Sequence, residues 1–467
     1  MGNEKETAWY DKAAGRRQHK AENKAKFQAR EEEKARRKDE KSKAKPASKA
    51  KTAKTFSHKK SPAFKKKNSV SAHCTPMFSS VNLPEDSLQI LNSFDQIVAQ
   101  TRNMSGKQQT LLPGQIKKLS HQLTDDRSSR RVGYMNDASL ISAYISYFMW
   151  WNLVRLTKLF SNFPENAFDL KDGDVCLDLG SGPLTVPVAL WLSRPELRDK
   201  KLTFYCMDLS QTALAAGEEI YLSVAARTLK ENQEPWKIVR VKGPVGTGIK
   251  EKAALVTSAN VFNELAQTNE MPPDYQAKKY TGDIESYLSK EGSQTVLLIE
   301  PGDPKSARLV SLMRDAFIRR GFMPVSPCPH SHMCPMEGRT TSNPNGKWCN
   351  FAFDTEDAPS ALLKLSEKSN LSKERAVLSY VLSSRSDEKG IKQKKNDSLL
   401  LRVASDFIRL PDIKKSGYYC CSQFGLVLAV DTTNVHPSNG DLLETKMPAR
   451  PEKLNRDKKS DALIIEI

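Results

Sequence analysis

The chain has 467 residues, 38% of them hydrophobic, with 73 Lys/Arg against 55 Asp/Glu and a formal net charge of +18. That length allows two or three folding units with a buried core. No apolar run approaches the roughly 18 residues of a membrane span, and the opening MGNEKETAWY has no apolar signal core, so membrane and secretory classes are set aside.

The charge is unevenly spread. Residues 1–70 carry 23 Lys/Arg and 9 Asp/Glu, a net of +14, while the remainder is close to balanced. Poor in aliphatics, residues 1–75 cannot bury enough surface to offset their ordering entropy. They read as a disordered basic arm suited to a phosphate backbone. Its stretch REEEKARRKDE is too acid-rich for a mitochondrial transit peptide. The expectation is a cytoplasmic, reducing setting, without membrane attachment and as a monomer, in which clustered cysteines serve metal or catalysis rather than disulfides.

Residues 76–165 read as a helical region. SLQILNSFDQIVAQ and QIKKLSHQLTDDR space their apolar residues three and four apart, and 139–160 is apolar enough for a buried helix. Arg127, Arg130 and Arg131 form a small basic patch within it. From residue 166 to 390 the texture changes. DVCLDLGSGPLT, LTFYCMDLS, WKIVRVKG, AALVTSANVFNEL and QTVLLIEPGDP are short β-rich runs separated by helix-compatible stretches, the pattern of a mostly parallel sheet with helices on both faces. The helix ARLVSLMRDAFIRRG, the strand FMPV, a cysteine loop and the strand CNFAF follow, and 371–385 reads as a further helix. Residues 391–467 read as a small C-terminal β module, whose last stretch from Ala449 has no evident assignment.

LDLGSGP sets Gly180 and Gly182 between a strand and a helix, where a chain without side chains passes close beneath a ligand at a helix N-terminus. A dinucleotide fingerprint needs a third glycine at 185, which is Thr. The acid-led D-x-G-x-G pattern points instead to S-adenosylmethionine. Asp178, Gly180, Ser181 and Gly182 then form the cofactor loop, Asp208 at the end of the second strand holds the ribose, and Asn260 at the end of the fourth completes the set. Methyl transfer draws heavily on positioning, so the lack of a catalytic dyad does not exclude an enzyme. The fourth-strand end SANVFNEL lacks the Pro-Pro-aromatic turn of base-amine methyltransferases. Asn263 and Glu264 there read equally as helix caps, and no catalytic residue is assigned.

CPHSHMCP places five residues between Cys328 and Cys334, and fourteen more separate Cys334 from Cys349. Cys420 and Cys421 lie far on, and strand alternation sends them to opposite faces. The gap is wide for the usual zinc pairing, and proline after a ligating cysteine occurs in one iron–sulfur run. Spacing alone leaves an iron–sulfur cluster, zinc or no metal open, with His330 and His332 as substitute ligands. Cys176 and Cys206 read as inert core residues, and Cys74 falls in the arm without a role.

From about Leu119 to Val430, the segments LDLGSGPLT, VTSANVFNEL, LLIEPGDP, PCPHSHMCP with WCNF, KERAVLSYVLSSR and CSQFG resemble a family of methyltransferase-like small-ribosomal-subunit assembly factors of bacteria and mitochondria. The resemblance implies a class I methyltransferase fold, association with the small ribosomal subunit, whose RNA the basic arm would contact, and a four-cysteine 4Fe-4S cluster held by Cys328, Cys334, Cys349 and Cys421. It makes KERAVLSYVLSSR a helix after the sheet. Where the family's loop carries a last glycine this chain has Leu184, whose side chain is expected to crowd the methionine end of the cofactor. Three functions follow from these readings: a ribosomal RNA methyltransferase, a non-catalytic assembly platform, and a protein or small-molecule methyltransferase.

Overall fold

The computed structural model describes residues 73–124, 134–267, 271–340, 343, 346–386, 398–410, 415–433 and 435–467. The basic arm up to residue 72, Arg127, Arg130 and Arg131, and most of the spacer after residue 386 lie outside them. Among the described residues no helix is long and apolar enough to cross a membrane.

The strands are β1 (His73–Thr75), β2 (Val175–Leu179), β3 (Thr203–Asp208), β4 (Lys237–Lys242), β5 (Leu255–Ala259), β6 (Gln294–Pro301), β7 (Met323–Ser326), β8 (Phe351–Asp354), β9 (Arg375–Arg385), β10 (Ser398–Val403), β11 (Ile408–Leu410), β12 (Lys415–Ser422), β13 (Gly425–Asp431), β14 (Leu442–Lys446) and β15 (Leu463–Glu466).

One sheet runs in the order β4-β3-β2-β5-β6-β9-β7, with β8 added on β9. Strands β2 to β6 pair in parallel, and β9 is antiparallel to both β6 and β7. Leaving out β8, this is a 3-2-1-4-5-7-6 order with an inverted seventh strand, the sheet of class I S-adenosylmethionine-dependent methyltransferases. The five residues of β2 are all buried, as a strand covered by helices on both faces must be. The N-terminal helices, among them Glu85–Asn92, Phe94–Arg102 and Trp150–Phe160, pack into one continuous core with the helices Thr185–Ser193 and Gln211–Thr228. Buried Arg198 pins them in place, donating to Asp86 Oδ2 at 2.5 Å and Ser87 Oγ at 2.8 Å.

The second sheet runs β1-β14-β10-β12-β13-β15, with β11 on β12. It has its own core, in which Cys420 is wholly buried. The unassigned C-terminal stretch supplies β15, parallel to β13. Arg402 of β10 ties this module to the methyltransferase-like domain, donating to the Pro327 carbonyl at 2.8 Å.

Two expectations are corrected. Residues 375–385 form strand β9, inserted in the sheet, and no helix follows the sheet there. Six consecutive buried residues make the segment a strand covered on both faces, and such a run carries no period-2 signature to separate it from a helix. The arm also ends earlier than residue 75. His73–Thr75 pairs with Leu442–Glu444, and the Cys74 thiol donates to Asp441 Oδ2 at 3.4 Å. A three-residue edge strand with so distant a partner leaves no local pattern.

Candidate functional site

The glycine loop turns sharply after β2. Gly180 and Gly182 have φ of 65° and 51°, a left-handed conformation cheap only for glycine. Ser181 N–H donates to the Met207 carbonyl at 2.9 Å, fastening the loop across β3. At Gly180 an added Cβ would stand 2.2 Å from Val261 Cγ2, whereas at Gly182 it would meet only Met135 Cε, at 3.9 Å. The first glycine is therefore demanded by packing, and the second leaves an open cradle. Beneath the loop the helix Gln211–Thr228 comes so close that a Cβ on Gly217 would lie 2.3 Å from the Pro183 carbonyl carbon. Gly217, a plain residue in a helical pattern, is a support of the loop that sequence reading missed.

Asp178 is buried under the loop. Thr257 Oγ1 donates to its Oδ1 at 2.6 Å, while its Oδ2 is buried without a partner. Burial pushes the carboxyl up to about 7, the charge of Asp208 adding to the effect. Asp208 Oδ2 accepts from Gly182 N–H at 2.9 Å and its Oδ1 from Ser210 N–H at 2.8 Å. Burial raises this carboxyl too, against those two bonds. Ser210 caps the next helix through Ala213 N–H and donates toward the short turn Tyr134–Asn136, reaching the Met135 carbonyl at 3.0 Å and Asn136 Oδ1 at 2.8 Å. That turn was not read as part of the site.

Asn260 stands at the C-terminal end of β5 in the left-handed region, φ 59°, its N–H donating to the Ile299 carbonyl at 2.8 Å. The neighbouring turn is organised by Glu300, another residue without a sequence signal. Its carboxylate accepts from the N–H groups of Val261, Phe262 and Asn263 at 3.2, 2.9 and 3.2 Å, and burial pushes it up to about 8. Asn263 Oδ1 is buried without a partner. Leu184 departs from expectation. It takes the left-handed conformation, φ 57°, at the start of Thr185–Ser193, and its side chain is wholly buried in the core rather than in the cradle.

The donor set fits S-adenosylmethionine. The open space at Gly182, the unpartnered Asp178 Oδ2 and the acidic end of β3 lie together at the C-terminal edge of a parallel sheet, where such folds bind ligands.

The cysteines gather at the same edge, beyond β7. The four thiols of Cys328, Cys334, Cys349 and Cys421 share one neighbourhood. Burial raises all four, and the Cys421 thiol is raised further by each of the other three. Cys420 points the other way, into the module core. His330 is buried, with Nε2 3.0 Å from Cys421 Sγ and Nδ1 unpartnered. Two guanidinium groups flank the thiols and favour their ionised form. Arg314, wholly buried, bonds the carbonyls of His330 and His332 and the Asp315 carboxylate. Arg402 bonds only the carbonyls of Pro327 and Gly440 among the described residues. Also among the described residues, no group of three or more His, Cys, Asp or Glu side chains is drawn tightly enough to hold a metal ion as they stand.

A family model for the mitochondrial small ribosomal subunit protein Rsm22 matches residues 172–416, more than half of the chain. The chain belongs to the Rsm22 family. The match takes in the glycine loop and three of the four gathered cysteines and stops short of Cys421. No curated protein matches the sequence. Among solved structures, a class I S-adenosylmethionine-dependent methyltransferase of Listeria monocytogenes is 12% identical, with a TM-score of 0.28 over 67% of this chain and 90% of that one. A precorrin-6y C5,15-methyltransferase of Geobacter metallireducens is 11% identical, with a TM-score of 0.28 over 48% and 85%. A Geobacter sulfurreducens methyltransferase in complex with S-adenosyl-L-homocysteine is 12% identical, with a TM-score of 0.27 over 56% and 96%. Scores this low add nothing to what the strand order shows.

Proposed function

We propose that this Rsm22-family chain binds S-adenosylmethionine and acts on the small ribosomal subunit, methylating its RNA. The observation that carries the reading is the glycine loop, open above Gly182 and closed beneath Gly180, at the first strand of a class I sheet. Gly180, Ser181 and Gly182 would line the cofactor, Asp178 and Asp208 would meet its polar groups, and Asn260 would face it from β5. When bound, the cofactor supplies an electrophilic methyl group. The protein contributes alignment of the acceptor, a source of large rate gains. The family description favours a mitochondrial setting over the cytoplasmic one expected from the sequence.

The gathered thiols are proposed to hold an iron–sulfur cluster, with zinc as the alternative. Four thiolates suit either, and Arg314 and Arg402 supply the positive charge that a buried anionic site needs. Because Cys421 belongs to the C-terminal module and the other three do not, metal binding would contribute folding energy to that junction.

A second reading, a non-catalytic platform, is favoured by one observation: both oxygens of Asp208 are already engaged by backbone N–H groups. Mapping small-subunit RNA methylation in a deletion strain, complemented by wild type or Gly182→Ala, decides between them. A methyl mark lost on deletion and restored only by wild type supports the enzyme. Unchanged methylation in the deletion strain leaves the platform.

A further inference from the structure

Two rings beside the thiol pocket carry cations on their faces. The Arg339 guanidinium lies over Trp348, 4.9 Å from the ring centroid, and Lys347 Nζ lies over Tyr419, at 4.8 Å. Both rings are half-exposed and both cations exposed. Among the described residues neither cation has a carboxylate partner within ion-pair distance, unlike Arg375 nearby, which is paired with Asp406. The rings are held at their polar ends. Trp348 Nε1 donates to the Gly302 carbonyl at 3.1 Å, and the Tyr419 hydroxyl reaches Asp457 Oδ2 at 3.4 Å. A ring anchored by its edge, with an exposed cation on its face, is a stacking platform under a removable cover.

The placement has a direction. Trp348 immediately precedes Cys349. Tyr419 shares a face of β12 with Cys421, two residues on. The two platforms thus come from different modules, each one or two residues from a gathered cysteine. Gly302, which anchors Trp348, follows β6, and the glycine loop follows β2. The two strands are parallel and separated only by β5, so the two anchors are about two strand spacings, roughly 10 Å, apart along one edge. A strand of nucleic acid resting on Trp348 would thus lie within a few nucleotides of the cofactor cradle.

We infer that Arg339 on Trp348 and Lys347 on Tyr419 form a grip for single-stranded RNA leading to the glycine loop, an inference that rests on the small-subunit RNA reading above. Base–aromatic stacking is stronger than an exposed cation–π contact. An incoming base displaces the cation from the ring, and the freed cation moves onto the adjacent phosphate. Duplex RNA, with its bases already stacked, cannot make this exchange.

The test uses the full chain and fluorescein-labelled oligoribonucleotides, single-stranded and duplex, over a salt series. The basic arm is present in every variant, so the difference in slope reads the grip. Arg339→Gln with Lys347→Gln should weaken single-strand binding and make the log–log salt slope shallower by about 1.4, two phosphate contacts at about 0.7 each. Trp348→Leu should weaken single-strand binding at least about five-fold, with duplex binding and the slope unchanged. Because Trp348→Leu disturbs a residue next to Cys349, the decision rests on the two surface changes, checked for an unaltered melting temperature. Unchanged affinity and slope in that double variant overturn the grip while leaving small-subunit association standing. Failure of the wild type to bind single-stranded RNA at all overturns the grip and the RNA reading together.

Discussion

Gly180 and Gly182 are two residues apart, share a positive φ, and should respond oppositely to the same methyl group. An L-residue in the left-handed region costs about 1–2 kcal/mol, and both alanine variants carry that cost. Only Gly180→Ala adds a collision, its Cβ 2.2 Å from Val261 Cγ2 with the rest of that side chain at 3.3 Å. Overpacking of this kind costs about 1–3 kcal/mol, so Gly180→Ala should lose about 2–5 kcal/mol in all. Gly182→Ala should lose only about 1–2 kcal/mol, because its Cβ enters open space. The ordering reverses for ligand binding. The Gly182→Ala methyl enters the cradle itself, and a clash of about 1.4 kcal/mol with the cofactor would already cost tenfold in affinity. Urea unfolding would measure the first effect, and calorimetric titration of S-adenosylhomocysteine the second. Equal stability losses, or wild-type affinity in Gly182→Ala, would refute the assignment of one glycine to packing and the other to the ligand.

The two adjacent cysteines should separate in the same way. Cys421→Ser should lower iron or zinc content by elemental analysis. Cys420→Ser, which buries a hydroxyl in the module core, should keep the metal and lose about 1–3 kcal/mol in chemical denaturation. Burial holds Glu300 and Asp178 up to about 8 and about 7, above the ~4 of an unfolded carboxyl. The folded state therefore keeps protons that the unfolded chain releases. This stabilisation is complete below about pH 4 and is lost as pH rises toward about 8. Glu300→Gln should flatten that decline in a pH series of unfolding curves. Leu184→Gly relieves about 1–2 kcal/mol of left-handed strain and forfeits a buried leucine, worth about 2–5 kcal/mol. It should destabilise the protein without tightening cofactor binding, whereas a gain in affinity would restore the crowding idea.

What could be read from the sequence was what local pattern encodes. The glycine loop, the acidic end of β3 and the alternation of β with α each lie within a dozen or so residues, and the strand order agrees with them. Strand alternation said only that Cys420 and Cys421 face opposite ways, the family resemblance picked Cys421, and the structure sends the two thiols to opposite sides. Non-local or buried features stayed hidden. Strand β9 is covered on both faces, so its apolar run carries no period. Strand β1 has no signal apart from a partner near the other end of the chain. Glu300 resembles any strand-end glutamate until its three backbone donors are seen. Leu184 shows a subtler limit: the substitution was visible, but where its side chain would go depended on a backbone angle.

The arrangement of the thiols has a consequence for biosynthesis. Translation delivers Cys328, Cys334 and Cys349 as a group, and Cys421 emerges only after β8, β9, β10 and β11 have been made. A nascent polypeptide halted in that interval presents three sulfhydryls without the strand that shields them, open to oxidants and stray ions. Completion of β12 adds the fourth sulfur, so chains that stop short of this strand differ chemically at this single spot from all that include it.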